Sequence, residues 1–444
     1  MRDPVEIVLL ICGLILMAAT RSPVAAAQVS TPLPWLHVAG ANIVDEQGNV
    51  FVPRGAAIQE LSFSGKPALA PDDYMSGVAG YGGNSVRLAV NSAFWLNGSG
   101  YKNGFTARDY QASVDSMVNS AQQNGIYLII DLHNTMEQPQ DYNDAQVYRD
   151  MLEPAQVLAF WEDLGPRYAN RSNILYSLLG QPLHEQRYFN GTNDLLWWNA
   201  ALAEMEAVRK FNQKALFIVP SLDANVIRQF YVQNPWPIPN VVYALHRYYA
   251  FDLPTGSGPG EPYAELYASG NLTAAKTEME KDFLSYGLNL TLHGKAVNLI
   301  EFGATITIYE KPVPNWDAQV SDLYSILAKY GVGWEQWVYY EKLPAWPGNA
   351  NWSLTVGGTE LSPQGQLWSV NLNPQGNSRT LTTLESTTSE SEQTSTASHT
   401  SLTSTQPTAP IPGFPWEAIA AGLFIGLVLL GRRVKARSKA LQEN

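Results

Sequence analysis

Polar and ionisable side chains stand at the ends of several apolar segments of this chain. Arg87 follows one segment, His133 and Asn134 close another, and Glu301 ends a third. Further segments end on a second group of polar or aromatic residues: His246, Tyr248 and Trp337. An arginine forms strong ion pairs with carboxylates, histidine exchanges protons near neutral pH, and a carboxyl group can act as nucleophile or general acid. Any one of these residues alone would be an ordinary surface side chain, so their chemistry depends on whether the segments bring them together.

The segments that carry these residues have the pattern of β-strands separated by amphipathic helices. Between the second and third segments, apolar residues from Tyr110 to Ala121 fall on one helical face, and the next two intervals repeat the pattern. Alternating strands and helices predict parallel strands with right-handed crossovers. Eight strands favour an α/β fold of the closed (β/α)8 type, the TIM barrel, over an open doubly wound sheet. The predicted strands are Val50–Ala57, Ser85–Val90, Tyr127–Leu132, Ile174–Leu179, Leu216–Pro220, Val241–His246, Val297–Phe302 and Gly333–Val338.

The composition excludes several classes of site. The only cysteine is Cys12, in an apolar N-terminal run, so the mature domain has no disulfide, no thiol catalysis and no cysteine-ligated zinc. A glycine-rich phosphate loop does not follow the first predicted strand, which disfavours nucleotide binding. The net charge is −12 although basic residues crowd the C-terminal tail, so the acidic domain argues against a nucleic-acid partner. The 13 tryptophans suit either a large core or stacking on sugar rings, and composition alone leaves both open.

The two ends of the chain predict export and membrane anchoring. An apolar run followed by three alanines indicates a secretory signal peptide over residues 1–27, with an uncleaved anchor as the alternative. The barrel domain is predicted over 28–376, and the Ser/Thr-rich segment 377–411 is predicted to be a stalk. An apolar segment over 412–431 precedes the basic residues 432–444, which predicts one transmembrane helix with a cytoplasmic tail. We therefore expect a single-pass cell-surface protein whose domain lies outside the cell.

Six Asn-x-Ser/Thr sequons agree with export. Each is weak evidence alone, but together on an exported chain they predict a glycoprotein with sugars at the domain surface. The sequons begin at Asn97, Asn170, Asn190, Asn271, Asn289 and Asn351.

The order and spacing of the short motifs resemble those of glycoside hydrolase family 5, the cellulase and mannanase family. The likeness runs from Leu36 to about Trp368, nearly the whole predicted domain. Each motif is weak alone, and their succession is what makes the likeness specific. The motifs are Phe51-Val52-Pro53-Arg54-Gly55, Asn84-Ser85-Val86-Arg87-Leu88, Asp131-Leu132-His133-Asn134, Arg167-Tyr168-Ala169-Asn170, Asn173-Ile174-Leu175-Tyr176, His246-Arg247-Tyr248, Glu301-Phe302-Gly303 and Trp337.

The resemblance implies a retaining hydrolase of β-linked polysaccharide, such as β-glucan or mannan, that needs no metal or organic cofactor. In this likeness Glu301 matches the nucleophile, Arg87 the residue that orients it, and Tyr248 a hydrogen-bond partner. The remaining matches are substrate-binding residues, with Trp337 as the platform for the sugar beside the cleaved bond: His133, Asn134, His246 and Trp337.

One motif departs from the family pattern. After the fourth strand the family reads Asn-Glu-Pro, in which the glutamate is the general acid and base. Here the aligned residues are Gly180, Gln181 and Pro182. A glutamine side chain cannot donate a proton to a departing oxygen. The resemblance therefore leaves the acid unassigned.

A substitute acid stands nearby in the sequence. The segment from Gln181 to Glu185 resembles the fourth-strand motif of the related family 26 mannanases, in which a His-Glu pair supplies the acid. In an extended chain Glu185 would lie roughly 13 Å from Gln181, whereas retaining hydrolysis needs two carboxyl groups about 5–5.5 Å apart. Glu185 is thus a candidate catalytic residue if the loop bends back, and a solvated loop acid otherwise.

Three hypotheses follow from an intact nucleophile beside a missing acid. The leading one is an extracellular, membrane-anchored β-glycan hydrolase that uses Glu301 and a second carboxyl group. A second is a carbohydrate-binding pseudoenzyme that keeps the cleft and has lost the acid. A third is an impaired enzyme that cleaves only substrates with good leaving groups or transfers sugars.

Overall fold

A computed structural model describes residues 31–63, 67–98, 106–134, 155–180, 182, 191–222, 226–247, 262–303, 307–308, 311–340 and 352–372. All of them belong to one compact unit, Met1–Thr380. Within these ranges no helix is long and apolar enough to cross a membrane. The predicted signal peptide 1–27, stalk 377–411, transmembrane helix 412–431 and tail 432–444 lie outside the described residues.

Eight parallel strands close into a barrel, which confirms the predicted (β/α)8 architecture. Around the barrel, neighbouring strands follow the order Val297–Gly303, Gly333–Trp337, Arg54–Ile58, Ser85–Asn91, Tyr127–Asn134, Ile174–Ser177, Phe217–Pro220 and Val241–His246. The observed bounds lie within a few residues of the predicted ones, except that the first predicted segment is divided: Val50–Phe51 (β3) belongs to a small sheet before the barrel. The barrel strands are Arg54–Ile58 (β4), Ser85–Asn91 (β5), Tyr127–Asn134 (β6), Ile174–Ser177 (β7), Phe217–Pro220 (β8), Val241–His246 (β9), Val297–Gly303 (β10) and Gly333–Trp337 (β13).

Helices pack around the barrel in the positions that the sequence pattern predicts. Ala107–Gln123 (α4) begins with a capping box between Thr106 and Asp109, and its face from Tyr110 to Ala121 is buried. The other helices are Glu60–Phe63 (α1), Pro71–Gly80 (α2), Ser92–Asn97 (α3), Ala155–Arg167 (α5), Gly191–Arg209 (α6), Gln229–Gln233 (α7), Pro262–Ala268 (α8), Leu272–Tyr286 (α9), Trp316–Lys329 (α10) and Pro363–Leu372 (α11), with a 3-10 turn at Leu288–His293.

Short antiparallel strands lie outside the barrel. Leu36–Ala39 (β1) and Asn42–Asp45 (β2) form a three-stranded sheet with β3. Two hairpins follow later in the chain: Thr307–Ile308 (β11) with Lys311–Pro312 (β12), and Thr355–Val356 (β14) with Glu360–Leu361 (β15). Four of the six sequon asparagines are described, and all four are exposed: Asn97, Asn170, Asn271 and Asn289.

Alternation along each barrel strand separates two cores. On β6, Ile129 packs with Leu36 and Ile43 of the first sheet, so it faces the barrel interior at the end that this sheet covers. Leu128 and Ile130 instead join the larger core beneath the helices. Because side chains alternate between the two faces of a strand, Asp131 and His133 continue the inward row of Ile129 toward the carboxyl end of β6.

Strand β10 breaks this alternation just before its end. Its register shifts between Leu299 and Glu301 against β9, and between Leu299 and Phe302 against β13. Ile300 packs in the interior core beside Ile129, and the next residue, Glu301, also reaches the barrel interior. Such a bulge re-aims a side chain, and here it turns the carboxyl group of Glu301 into the barrel mouth.

Candidate active site

Arg87 occupies the centre of the cluster at the carboxyl ends of the barrel strands. Its side chain is fully buried, and its Nη1 donates a hydrogen bond to Oε2 of Glu301. Its Nη2 donates to Oδ2 of Asp131 at 2.8 Å. One guanidinium from β5 thus joins carboxylates from β6 and β10, which gives two charge-assisted interactions in a site removed from water.

Asp131 is a buried carboxylate that the sequence analysis did not single out. The hydroxyl of Ser177 donates to its Oδ1 at 2.6 Å, and Nδ1 of His133 lies 3.1 Å from its Oδ2. Burial alone would raise the pKa of Asp131, but the charge of Arg87 and the hydrogen bonds from His133 and Ser177 outweigh burial and hold that pKa well below its usual range. The signal that could have found it is its spacing, since Asp131 precedes His133 by two residues and therefore shares its face.

His133 and Trp337, both predicted to bind substrate, lie side by side. The two rings are stacked with centroids 5.8 Å apart and an interplanar angle of 26°. The guanidinium carbon of Arg87 lies 5.9 Å from the centre of the Trp337 ring. Trp337 is only 2% exposed, so most of the indole is covered by protein and a small part remains accessible.

His246 lies against the same carboxylate from the other side. Its Nδ1 is 3.6 Å from Oε2 of Glu301, and its side chain is fully buried. Burial lowers the pKa of His246 to about 3, although the negative charge of Glu301 opposes this shift. The imidazole is therefore neutral at physiological pH. The backbone N–H of the following residue, Arg247, donates to the carbonyl oxygen of Glu301 at 2.9 Å and fixes the end of β10.

The segment after the fourth barrel strand brings Gly180 against the charged cluster. Its N–H donates to the carbonyl oxygen of Leu132 at 2.9 Å, which holds it beside β6. A Cβ atom on Gly180 would lie 2.8 Å from Nδ1 of His133 and 2.9 Å from Oδ2 of Asp131. It would also lie 3.0 Å from Nη2 of Arg87. A side chain at position 180 therefore requires these groups to move.

Four predicted site residues have no side-chain geometry here. Gln181, Glu185 and Tyr248 lie outside the described residues, and Asn134 is described only by its backbone at the end of β6. The structure therefore brings together Glu301, Arg87, His133, His246 and Trp337 from the predicted set. Elsewhere in the described ranges, as in this cluster, no group of His, Cys, Asp and Glu side chains is arranged to hold a metal ion.

A second carboxyl group lies deeper in the barrel and was also not predicted. Glu335 of β13 is fully buried; it accepts hydrogen bonds from Ser85 at 2.7 Å and from Nδ2 of Asn298 at 2.8 Å. Burial raises the pKa of Glu335 to about 7, although the hydrogen bonds from these two residues and the charge of Arg87 act against the rise. Because β13 has the alternation of the other strands, the inward position of Glu335, two residues before Trp337, was the available signal.

Comparison with known proteins points to one family. The family model described as cellulase (glycosyl hydrolase family 5) matches residues 44–342. No curated protein matches the chain by sequence.

Solved structures share the fold at low sequence identity. The β-glucanase of Saccharophagus degradans in complex with cellotetraose has a TM-score of 0.58 at 17% identity, over 78% of this chain and 95% of that one. The catalytic domain of an endoglucanase from Thermobifida fusca has a TM-score of 0.51 at 17% identity, over 76% and 97% of the two chains. A hyperthermostable endocellulase has a TM-score of 0.57 at 14% identity, over 78% and 99%.

Proposed function

The chain belongs to the cellulase family, glycosyl hydrolase family 5, and on this premise we propose that it hydrolyses a β-linked polysaccharide with net retention, using Glu301 as nucleophile. The observation that carries the proposal is the pairing of Glu301 with Arg87 at the carboxyl ends of the barrel strands. In (β/α)8 enzymes this end of the barrel holds the active site. The pairing therefore lies where the family's chemistry is carried out.

The surroundings of Glu301 suit a carboxylate that must attack carbon. A nucleophilic carboxylate has to be ionised and held in one orientation. Arg87 supplies a positive charge to its Oε2, and the backbone N–H of Arg247 holds the strand that carries it. The neutral imidazole of His246 adds a polar neighbour without a second positive charge. These contacts stabilise the carboxylate form and leave it at the mouth of the barrel.

In the proposed reaction Glu301 attacks the anomeric carbon of the substrate. The bond to the leaving oxygen breaks as that oxygen takes a proton from an acid, and a covalent glycosyl-enzyme forms. Water then attacks the same carbon, loses a proton to the conjugate base, and releases Glu301. Two inversions give net retention. The chemistry needs only carboxyl groups and water, so no cofactor enters the scheme.

The proton donor is the part of the scheme that the family motif does not supply, because Gln181 cannot donate a proton. Glu185 remains the candidate from the sequence. The competing function is a carbohydrate-binding protein without hydrolysis. The observation that favours it is the departure at both Gly180 and Gln181, which removes the acid and the neighbouring asparagine together.

The first substrates to test are β-glucans. A β-glucanase structure with cellotetraose and an endoglucanase are among the structures that share this fold. His133 and Trp337 contribute stacked aromatic rings to this end of the barrel, and sugar rings pack on accessible aromatic surfaces through their C–H faces. We include β-mannan because the motif around Glu185 resembles that of mannanases.

The experiment that tests this function uses two substrates. An activated 2-deoxy-2-fluoro-β-cellobiosyl fluoride should lose fluoride and add one 2-deoxy-2-fluorocellobiosyl group, a disaccharide, to the peptide that contains Glu301, as read by mass spectrometry. NMR during hydrolysis of cello-oligosaccharides or manno-oligosaccharides should show the β-anomer first. Binding of a glycan with neither labelling nor hydrolysis across glucosyl and mannosyl substrates would establish the binding protein instead.

We also propose that the domain is held at the cell surface by the segment 412–431. The basic residues after Gly431 favour the cytoplasmic side, and the Ser/Thr-rich segment 377–411 would hold the domain above the membrane. Protease added to intact cells should release a domain that retains glycan binding. If the domain is protected from protease in intact cells and is cut only after the cells are permeabilised, this topology is wrong.

A further inference from the structure

Arg247 connects the end of strand β9 to the backbone of the proposed nucleophile. Strand β9 alternates as the other barrel strands do, so Ala244 lies in the interior core and Leu245 in the core beneath the helices. His246 then points into the barrel against Glu301, and the side chain of Arg247 points out toward the helices. The backbone of Arg247 still serves the site, because its N–H donates to the carbonyl oxygen of Glu301 at 2.9 Å.

That hydrogen bond lies where the regular ladder between the two strands is broken. The register of β9 against β10 shifts between Leu299 and Glu301, and Glu301 then pairs with His246. A bulge disrupts the ladder locally, so the direction of the Glu301 side chain depends on the contacts made beyond the shift. The N–H of Arg247 makes one of these contacts, and it guides Glu301 only as firmly as Arg247 is itself held.

Helix α9 holds the side chain of Arg247. The guanidinium carbon lies 4.1 Å from the centre of the Tyr286 ring, and Nη2 donates to Oδ2 of Asp282, one turn earlier on the helix, at 3.4 Å. Only 10% of the Arg247 side chain and 15% of the Asp282 side chain are exposed. Water and salt therefore screen the ion pair little, and the cation lies over the ring in a largely desolvated place.

The end of α9 that receives Arg247 is itself fixed. Tyr286 is the last residue of the helix, and its carbonyl oxygen accepts from the N–H of Ile227 at 2.7 Å. The next residue, Gly287, packs closely against the side chain of Ile227. Arg247 thus connects a packed helix end, through its side chain, to the backbone of the nucleophile, through its N–H.

We propose that Arg247 is a positioning residue for the nucleophile: α9 holds its side chain, and its N–H holds the shifted end of β10 so that Glu301 faces Arg87. This inference rests on the proposed function of Glu301. Because its side chain points away from the barrel interior, Arg247 acts through Glu301. A change in that side chain should therefore slow attack by Glu301 and leave substrate affinity nearly unchanged.

The test follows release of the aryl group from an activated aryl β-cellobioside by stopped flow, because formation of its glycosyl-enzyme needs little help from a general acid. The maximal rate of the first turnover and the substrate concentration that half-saturates it are measured separately. The variants are Arg247→Met, Arg247→Lys, Asp282→Asn and Tyr286→Leu.

Arg209 supplies the matched control, Arg209→Met. Its guanidinium carbon also lies over an aromatic ring, 5.2 Å from the centre of Phe217, but at the amino end of β8. Its Nη2 donates to the carbonyl oxygens of Ala215 and Pro239, each at 2.8 Å. The control therefore removes a comparable arginine contact at the end of the barrel away from Glu301.

We expect Arg247→Met to lower the maximal rate roughly 10- to 100-fold and to change half-saturation by less than about threefold, because a misplaced nucleophile affects the transition state more than binding. Arg247→Lys keeps a charge for Asp282 and should recover at least about threefold of that loss. Asp282→Asn and Tyr286→Leu should each lower the rate about three- to tenfold, and adding either to Arg247→Met should change little further, because they act through one contact. Arg209→Met should match the parent.

A near-parental maximal rate in folded Arg247→Met overturns the inference. A loss confined to half-saturation, or an equal loss in Arg209→Met, overturns it as well. Circular dichroism and thermal unfolding identify variants that fail to fold. If Arg247→Met is one of them, Arg247→Lys, Asp282→Asn and Tyr286→Leu decide the question by the same split between rate and half-saturation.

If the parent itself neither labels nor hydrolyses, the proposed function fails separately. In that case crystal structures of Arg247→Met and Arg247→Lys decide the positioning role. A Glu301 that keeps its contacts both with the N–H of residue 247 and with Arg87 overturns it. A Glu301 displaced from Arg87 in Arg247→Met supports it.

Discussion

Three barrel strands each place two residues in the barrel interior, one in an upper layer near the carboxyl ends of the strands and one in the layer below. We call these layers the upper level and the lower level, and they differ in charge. The upper level holds Arg87, Glu301 and Trp337 from β5, β10 and β13. The lower level holds the residues that precede them on the same strands: Ser85, Asn298 and Glu335. Both levels contain a buried carboxyl group. Among the described residues, only the carboxyl group of the upper level has a cation in direct contact with it.

The difference shows that the partners, more than depth, decide whether a buried carboxyl group carries charge. Asp131, which contacts Arg87 of the upper level, is buried as completely as Glu335, yet the charge of Arg87 holds the pKa of Asp131 well below the usual range. Glu335 has two uncharged donors in contact, and its pKa is raised to about 7. The upper level is therefore suited to a nucleophile, whereas the carboxyl group of the lower level keeps its proton up to a higher pH.

The largest expected effect on activity comes from replacing the proposed nucleophile in the upper level. Replacing Glu301 by Gln keeps the size and the polar contacts and removes the attacking carboxylate. We expect kcat for an activated aryl glycoside to fall at least about 10³-fold, with glycan binding retained. Stopped-flow release of the aryl group measures the loss. Glu335→Gln is the matched control, because it removes the lower carboxyl group of the same barrel and should keep near-parental activity. If Glu335→Gln loses activity and Glu301→Gln does not, the nucleophile lies in the lower level and the prediction is wrong.

The next effect concerns the general acid, which the residue at position 181, a glutamine, cannot supply. If Glu185 donates the proton, Glu185→Ala should lower hydrolysis of a natural glycan about 10²–10⁴-fold and spare glycosyl-enzyme formation from the aryl substrate. Added azide should then speed turnover, because it attacks the intermediate without a base. If Glu185 is a bystander, its removal changes little and Gln181→Glu should raise hydrolysis by about 10² or more. The two variants thus give opposite results on one pair of substrates.

The smallest effect is on stability and comes from the lower level. The folded-state pKa of Glu335 lies above the unfolded value of 4.5, at about 7. The unfolded chain therefore releases this proton first, and the contribution of Glu335 to stability is present below pH 4.5 and is lost as the pH rises through 7. Glu335→Gln should remove this loss and raise the free energy of unfolding at pH 8 by up to about 3 kcal/mol relative to the parent.

Chemical denaturation of both proteins at pH 5 and pH 8 measures this difference. Ser85→Ala sharpens the comparison, since it removes one donor to the carboxylate and should move the loss of stability to higher pH. If Glu335→Gln raises the free energy of unfolding equally at both pH values, the amide acts through packing and the pKa of Glu335 is not raised in the folded protein.

Strand pattern and motif order in the sequence predicted the eight barrel strands, and five of the predicted site residues lie together at the carboxyl ends of those strands. Period-two alternation follows from local backbone geometry, so Arg87 and His133 could be assigned to strand ends from residue order alone. Asp131, Ser177 and Glu335 follow the same alternation and were missed because their importance depends on partners in other strands. A carboxyl residue in an apolar strand has the same local signal whether its partner is an arginine or a serine.

Sequence by itself determined the family, the barrel and the absence of an ionisable group at position 181, because these depend on residue type and order along the chain. Tertiary structure alone decided two features of the site. The bulge in β10 turns Glu301 inward directly after the inward-facing Ile300, against the alternation that the sequence predicts. The approach of Asp131 and Arg87 to Gly180 depends on how β5, β6 and the segment after β7 pack. Both arise from contacts between strands far apart in the chain, and no local pattern encodes those distances.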